Sequence, residues 1–227
     1  MKRTIGWILL LFGVWTAVPA RTVPIPYVTA AYGWETGLIV DNAGFVDATI
    51  ELTLFTDGTA AAPQIHEVAA GQCLRIPLTE GSCGTVTCAE SNVVLKLAFR
   101  HTVEEGIAEF ALAEDAGTRL QFLLPHYAGG IVNWTGLAVM NPGEAPAAVA
   151  LEAYAPSGAS LGVVEHVIGG RDLLVQMLAD FFPGLSLPGV ARIEVRSDVP
   201  VCGLHISGHD LARLLFTPAV SGNGGGE

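Results

Sequence analysis

Apolar and polar residues alternate along most of the chain in runs of four to eight residues. This period of two predicts half-buried β-strands, and turn-forming pairs such as Asp57-Gly58 and Gly169-Gly170 separate the runs. Long stretches with helical spacing are almost absent. The predicted strands are residues 37–40, 49–55, 93–99, 107–112, 136–140, 147–154, 191–196 and 201–207.

The second half of the chain repeats the first half. At an offset of 99 residues, residues 36–38 and 135–137 both read Thr-Gly-Leu, and many further turn and core positions coincide. After a change in length, the register resumes near an offset of 97, where Ile107 corresponds to Leu204. Self-similarity at one long period indicates a tandem duplication of one domain.

The ends of the two copies are predicted from a shared Arg-Leu-x-Phe sequence. It begins at Arg119 and again at Arg213, and we interpret it as the closing strand of each copy. We therefore expect one repeat at residues 21–120, a second at 121–220 and a disordered glycine-rich tail at 221–227. A repeat of about 100 residues suits a small sandwich, so the predicted fold is all-β, with two tandem Ig-like antiparallel β-sandwiches.

One segment of the second copy departs from the strand pattern. Residues 172–182 carry apolar side chains at helical spacing, and Pro183-Gly184 would end a helix there. We therefore predict one short amphipathic helix in the second sandwich. Its apolar stripe consists of Leu173, Leu174, Met177, Leu178, Phe181 and Phe182.

The N-terminus has the features of a secretory signal peptide. Lys2 and Arg3 precede an apolar run at residues 5–14, and small residues occupy positions 18 and 20 before the expected cleavage site. A membrane anchor is the alternative, but the run is short for a span of about 20 residues. We expect residues 1–20 to be removed and the mature chain to be periplasmic, extracellular or associated with the cell surface.

Charge and composition exclude several classes of protein. The chain has 22 acidic and 11 basic residues, for a formal charge of −11. Removal of residues 1–20, which hold two basic and no acidic residues, would leave −13. Such acidity argues against nucleic acid as a partner. With 51% hydrophobic and 15% charged residues the chain is not disordered, and no later stretch is apolar enough for a stable membrane span.

Four cysteines in an exported protein favour disulfides. We predict a disulfide between Cys83 and Cys88, closing a loop. Cys73 and Cys202 lie in different copies and would pair only if the copies pack with these strands close together. Otherwise Cys202 is a buried thiol.

The sequence contains no recognisable catalytic constellation. His205, His209 and Asp210 are weak candidates for a metal site, but the two histidines would lie about 13 Å apart on a straight strand. Nucleophile-elbow, phosphate-loop and dinucleotide motifs are missing. We therefore expect no catalytic residue, no bound metal and no cofactor.

Aromatic residues cluster near the start of each copy. Tyr32 and Trp34 occur in the first copy, and Tyr127 and Trp134 in the second. Exposed rings could stack on sugars or contact a protein, and buried rings would instead fill the ends of the sandwich cores. These four residues are the candidate binding residues.

The stretch Trp134-Thr-Gly-Leu-Ala-Val-Met-Asn-Pro, followed by an alternating run at 147–154, resembles a repeat of uncharacterised bacterial exported proteins. In that repeat, a Trp-x-x-Gly-Leu-x-Leu-x-Asn-Pro stretch leads an Ig-like sandwich. The resemblance covers both copies and is weaker in the first, where Asn42-Ala43 replaces Asn-Pro. It implies a fold and a compartment but no catalytic residues. We expect Pro142 to set a turn and Gly143 to adopt a left-handed conformation there.

Two functional hypotheses follow. The leading one is a non-catalytic structural, adhesive or protein-interaction module that acts through a protein partner. The alternative is a carbohydrate-binding module that uses the tyrosine and tryptophan edge to bind a surface glycan. A hydrolase or metal-dependent enzyme is the third and least supported reading.

Overall fold

The structure is a computed structural model that describes residues 20–30, 33–79, 83–102, 107–112, 119–125, 134–208 and 214–218. Most of these residues form antiparallel strands, so the predicted all-β class is confirmed. No helix within these ranges is long and apolar enough to cross a membrane. The strands are β1 (Arg21–Ile25), β2 (Trp34–Asn42), β3 (Ala48–Thr56), β4 (Thr59–Ala60), β5 (Gln64–Val68), β6 (Cys73–Leu78), β7 (Cys83–Cys88), β8 (Val93–His101), β9 (Ile107–Ala111), β10 (Arg119–Pro125), β11 (Trp134–Asn141), β12 (Ala147–Tyr154), β13 (Ser160–Ile168), β14 (Asp172–Met177), β15 (Arg192–Gly208) and β16 (Leu214–Pro218).

Strands β1–β9 form two sheets around one core, and we call this unit the first sandwich. One sheet has the order β1-β7-β3, with β4 and β5 both paired to β3, and the other has the order β6-β2-β8-β9. Alternate residues of both sheets, including Leu38, Ile50, Val86 and Phe99, form the buried core. Asp57 and Gly58, both with positive φ, make the two-residue turn between β3 and β4.

Strands β10–β16 have the same pairing order, and we call this unit the second sandwich. Its strand β15 has 17 residues and takes part in both sheets. Residues 192–197 pair with β12, and residues 201–208 pair with β11. The sheets are therefore β10-β15-β12-β13 and β14-β11-β15-β16. The two halves of β15 take the places that β7 and β8 hold in the first sandwich.

The strand pairings change two of the expected equivalences. β10 pairs with β15 and takes the place of β1, whereas β16 closes the second sandwich. The shared Arg-Leu-x-Phe sequence therefore does not mark equivalent strands. The correspondence of Ile107 with Leu204 is also wrong, because Ile107 lies in β9 and Leu204 in β15. The register places Lys96 at the position equivalent to Leu204.

The predicted helix is present but much shorter than expected. Only Leu178–Phe181 is helical (α1), and Asp172–Met177 forms β14 against β11. Leu174 packs in the core of the second sandwich, and Leu173 packs on the opposite side of the sheet. Leu173 and Leu174 are half-buried on opposite faces of β14, so apolar residues follow one another along the strand and give the misleading helical stripe.

A buried asparagine ends the equivalent strands β2 and β11. The Nδ2 group of Asn42 donates to the Val46 and Val68 carbonyls, both at 2.9 Å, and Oδ1 accepts the Gly44 N–H at 3.0 Å. Asn141 makes the matching bonds: Nδ2 donates to the Ala145, Ile168 and Gly169 carbonyls, and Oδ1 accepts the Gly143 N–H. Each asparagine therefore ties a strand end to a neighbouring turn.

The expected left-handed conformation of Gly143 is wrong, because Gly143 is not among the glycines with positive φ. A side chain at this position would instead begin 3.2 Å from Oδ1 of Asn141. The close approach of Gly143 to Asn141, rather than an unusual φ, is therefore what suits glycine here.

Candidate functional site

The candidate aromatic residues that the structure describes do not form an exposed surface on which a sugar could stack. Trp34 is only 6% exposed and belongs to the core of the first sandwich. Its ring lies 5.1 Å from the His101 ring in an edge-to-face arrangement. Trp34 is therefore a core residue and cannot stack on a ligand, while Tyr32 and Tyr127 lie outside the described residues.

Trp134 lies where the two sandwiches meet. It is partly buried and packs, together with Tyr27, against Ala138, Leu204 and Ile206. Tyr27 also packs on the core of the first sandwich, where its ring stacks on Phe99 at 6.2 Å. Trp134 and Tyr27 therefore form part of the contact between the sandwiches, although Tyr27 is not one of the four candidate binding residues.

The contact between the sandwiches continues at a second buried cluster. Phe55 and Cys83 of the first sandwich pack with Met140 and Cys202 of the second, and Leu173 borders them. We call the two clusters together the interface. Strand β9 also lies against β16 across the two units.

A cation–ring contact borders this part of the interface. The guanidinium carbon of Arg171 lies 6.0 Å from the centre of the Phe55 ring, and Arg171 also forms an ion pair with Glu144. The cation is attracted to the electron-rich face of the ring, which adds to the apolar packing. The two sandwiches are thus joined by packed side chains of both units.

The weak metal candidates do not form a visible site. His205 is 1% exposed and pairs across the strands with Leu137, which is a core residue of the second sandwich. Directly paired residues share a face, so the His205 ring points into that core. His209 and Asp210 lie outside the described residues, and the described part of the chain contains no group of three potential metal ligands.

The predicted disulfide between Cys83 and Cys88 is wrong. Both residues lie on β7, five positions apart, and no disulfide joins any of the four cysteines in the structure. Five strand residues span about 16 Å, and an odd separation puts the side chains on opposite faces. Cys88 faces the core of the first sandwich, Cys83 faces the interface, and Cys73 is exposed.

Polar side chains form a network on the outer face of the second sandwich. Glu152 and Glu194 lie directly opposite each other on β12 and β15, and Arg196 forms ion pairs with both. Hydrogen bonds from Ser160 and Tyr154, with a smaller contribution from Arg196, lower the pKa of Glu152. A general acid needs a raised pKa, so Glu152 does not suit that role at neutral pH.

Tyr154 also belongs to this network, through its hydroxyl group and its ring. Its hydrogen bond with Glu152 is the main cause that raises the pKa of the Tyr154 hydroxyl, and burial adds to it. The guanidinium carbon of Arg192 lies 4.3 Å from the centre of the Tyr154 ring. One face of this ring is therefore covered by a cation and is not free to stack on a ligand.

A shallow groove of about 410 Å³ lies beside this network. Ala148 and Ala150 of β12 form its floor, because their small side chains leave space above the sheet. Glu165 and Val167 of β13 line one side, and Arg196 of β15 lines the other. The groove therefore offers both apolar and charged contacts.

The strand at the edge of this groove exposes apolar side chains. On β13, Val163 is 50% exposed and Val167 is 76% exposed, and Leu161 on the same face is also exposed. The sequence prediction missed β13, although its alternation of residues is visible. Alternation identifies two faces but does not tell which face remains uncovered.

Comparisons with known proteins give no family for the chain. No protein-family model and no curated protein matches it. A solved structure titled as a "putative beta-galactosidase" from Bacteroides fragilis aligns with 87% of this chain at 9% identity and a TM-score of 0.18. The aligned part is 32% of that chain. A TM-score this low supports neither a shared fold nor a shared activity.

Proposed function

We propose that the protein is an exported, non-catalytic interaction module whose second sandwich binds an extended segment of a protein partner along β13. The observation that carries this proposal is the apolar edge strand beside an open groove. The predicted signal peptide supports the export. The resemblance to a bacterial exported sandwich repeat supports the same assignment.

An exposed edge strand is a natural site for strand addition. Within the described residues β13 pairs with β12 alone, so its other side presents N–H and carbonyl groups. Natural proteins usually protect such edges with lysine, proline or a covering loop. β13 contains neither lysine nor proline, and the face that carries Glu165 also exposes three apolar side chains. A partner strand would satisfy the backbone groups and cover these side chains.

The groove defines the chemistry of the partner. A strand added beside β13 would place alternate side chains over Val163 and Val167, so these partner residues should be apolar. A residue reaching across the alanine floor would meet Glu165 on one side and Arg196 on the other. The expected ligand is therefore an extended peptide of alternating apolar and polar residues.

The test uses a displayed library of random peptides and the full chain. We expect enriched peptides with apolar residues at alternate positions, and binding at least tenfold weaker to the Val163→Lys/Val167→Lys double variant. Ile65→Lys is the matched control, because Ile65 is an exposed apolar residue on β5, the equivalent edge strand. Peptide binding that survives the double variant, or a library without enrichment, would overturn the proposal.

A glycan array separates the carbohydrate-binding alternative from this one. Saturable binding of a glycan that Trp134→Ala abolishes and the β13 double variant preserves would assign function to the aromatic residues instead.

Export is tested by an independent measurement. The N-terminus of the secreted or periplasmic protein should be Arg21, and a chain that retains residues 1–20 in the cytoplasm would contradict export.

A further inference from the structure

Two cysteines from different sandwiches meet inside the interface. Cys83 begins β7 of the first sandwich, and Cys202 lies in β15 of the second. Both belong to the same small buried cluster with Phe55 and Met140, and they are 0% and 3% exposed. Residues separated by more than a hundred positions are thus packed in one buried cluster.

The strand registers point both side chains toward this contact. On β7, Val86 and Cys88 face the core of the first sandwich, so Cys83, at an odd separation from Cys88, faces outward. Its paired neighbour Phe55 faces outward as well. Cys202 pairs with Met140, and both face away from the core of the second sandwich. The two cysteines therefore project from their own units into the shared cluster.

We propose that Cys83 and Cys202 are oxidised to a disulfide that links the two sandwiches. The two thiols together lose two electrons and two protons as the S–S bond forms. The oxidant is another disulfide, of a small thiol or of an oxidoreductase, which is reduced to two thiols in exchange. This inference rests on the proposed export, because thiols in the cytoplasm are kept reduced.

Burial determines when this bond can form. Burial is the main cause that raises the pKa of the Cys202 thiol, and the neighbouring Cys83 adds to it. Thiol–disulfide exchange needs a thiolate, so the packed thiols react slowly. Oxidation therefore takes place before the interface closes, and the finished disulfide is protected from reductants. Cys73 is exposed and Cys88 faces a core, so neither competes for this pairing.

Peptide mapping of the full chain tests the pairing directly. The chain is isolated without reductant, its thiols are blocked, and it is digested with trypsin. We expect a cross-linked pair of the peptides 76–96 and 197–213, which holds Cys202 with Cys83 or Cys88. The pair should persist in Cys88→Ala and disappear in Cys83→Ala. Persistence of the link in Cys83→Ala, or four blockable thiols in the unfolded wild-type chain, would overturn the proposal.

Refolding in a glutathione buffer separates this inference from the proposed export. The reduced, unfolded chain should form the same link in vitro whatever its cellular compartment, and reduction after unfolding should lower the Tm of the refolded protein by about 10 °C. The Cys73→Ala variant should keep the link and the Tm. Failure to form the link in this buffer counts against the disulfide alone and leaves the peptide-binding test unaffected.

Discussion

Equivalent sheets of the two sandwiches have outward faces of opposite chemistry. In the first sandwich, the sheet β6-β2-β8 presents Arg75, Lys96 and Arg100, and Arg75 and Arg100 are exposed. In the second sandwich, the equivalent sheet presents apolar residues such as Ala138 and Leu204, which are fully buried against the first sandwich. The strand order is the same, so the fold does not require either chemistry. What covers each face decides which residues it carries.

The inward faces differ in which residue of an equivalent cross-strand pair has the large side chain. Leu54 pairs with Gly84 in the first sandwich, and the equivalent pair in the second is Ala153 with Ile193. A side chain on Gly84 would begin 2.8 Å from Leu54 and 2.6 Å from the Thr53 carbonyl oxygen. The large residue has therefore changed strands while the pair still fills its core, as close packing requires.

The largest expected effect comes from exchanging residues between the two outward faces. Leu204→Lys places in the interface the residue that the first sandwich carries at the equivalent position. It buries a charge without a partner and should lower the free energy of unfolding by about 3–5 kcal/mol. Denaturant unfolding of the purified chain measures this change.

The reciprocal substitution is the control for this exchange. Lys96→Leu alters a half-buried position that packs in neither interface cluster, so stability should change by less than about 0.5 kcal/mol. Equal costs for Leu204→Lys and Lys96→Leu would mean that the two faces are equally covered, and the comparison would fail.

An intermediate loss of stability is expected at the buried asparagine that the two sandwiches share. Asn42→Ala and Asn141→Ala each remove a buried amide that serves several backbone groups, and each should cost about 3 kcal/mol. Asn92→Ala is the control, because Asn92 is exposed in a turn, and it should cost less than about 0.5 kcal/mol. If only one of the two buried asparagines matters in denaturant unfolding, their roles are not equivalent.

The smallest effect concerns the outer faces of the sheets that contain β3 and β12. The first sandwich has Thr53 opposite Thr85 where the second has Glu152 opposite Glu194. The pKa of Glu152 is lowered in the folded chain, so its stabilisation is present above its ordinary value and is lost as pH falls through the folded value. Glu152→Gln should therefore cost less than about 1 kcal/mol at pH 7 and nothing in strong acid.

The pH series also needs a variant without a titrating group. Thr85→Val should change stability by the same amount at neutral and acidic pH, because neither side chain titrates. A Glu152→Gln cost that stays constant between pH 7 and strong acid would show that the ion pair does not stabilise the strand pair. Thermal unfolding at several pH values compares the two variants.

The sequence predicted the class of fold because strand alternation is a local property. The offset of 99 residues also matches Asn42 with Asn141, but their role as buried links is visible only from the carbonyl groups that they bind. The predicted cysteine pairing is wrong because residues 83–88 form a strand and not the loop that the pairing requires. On strand β7 this spacing places the two thiols about 16 Å apart and on opposite faces of the sheet.

By itself, the sequence determined that the chain folds into antiparallel strands in two similar copies, because periodicity and self-similarity are written along the chain. Tertiary structure alone decided which apolar face became an interface and which became an exposed edge. Leu204 and Val167 are both aliphatic, yet one is buried by the first sandwich and the other borders an open groove. Burial depends on what another part of the chain places against a face, and no local pattern encodes that contact.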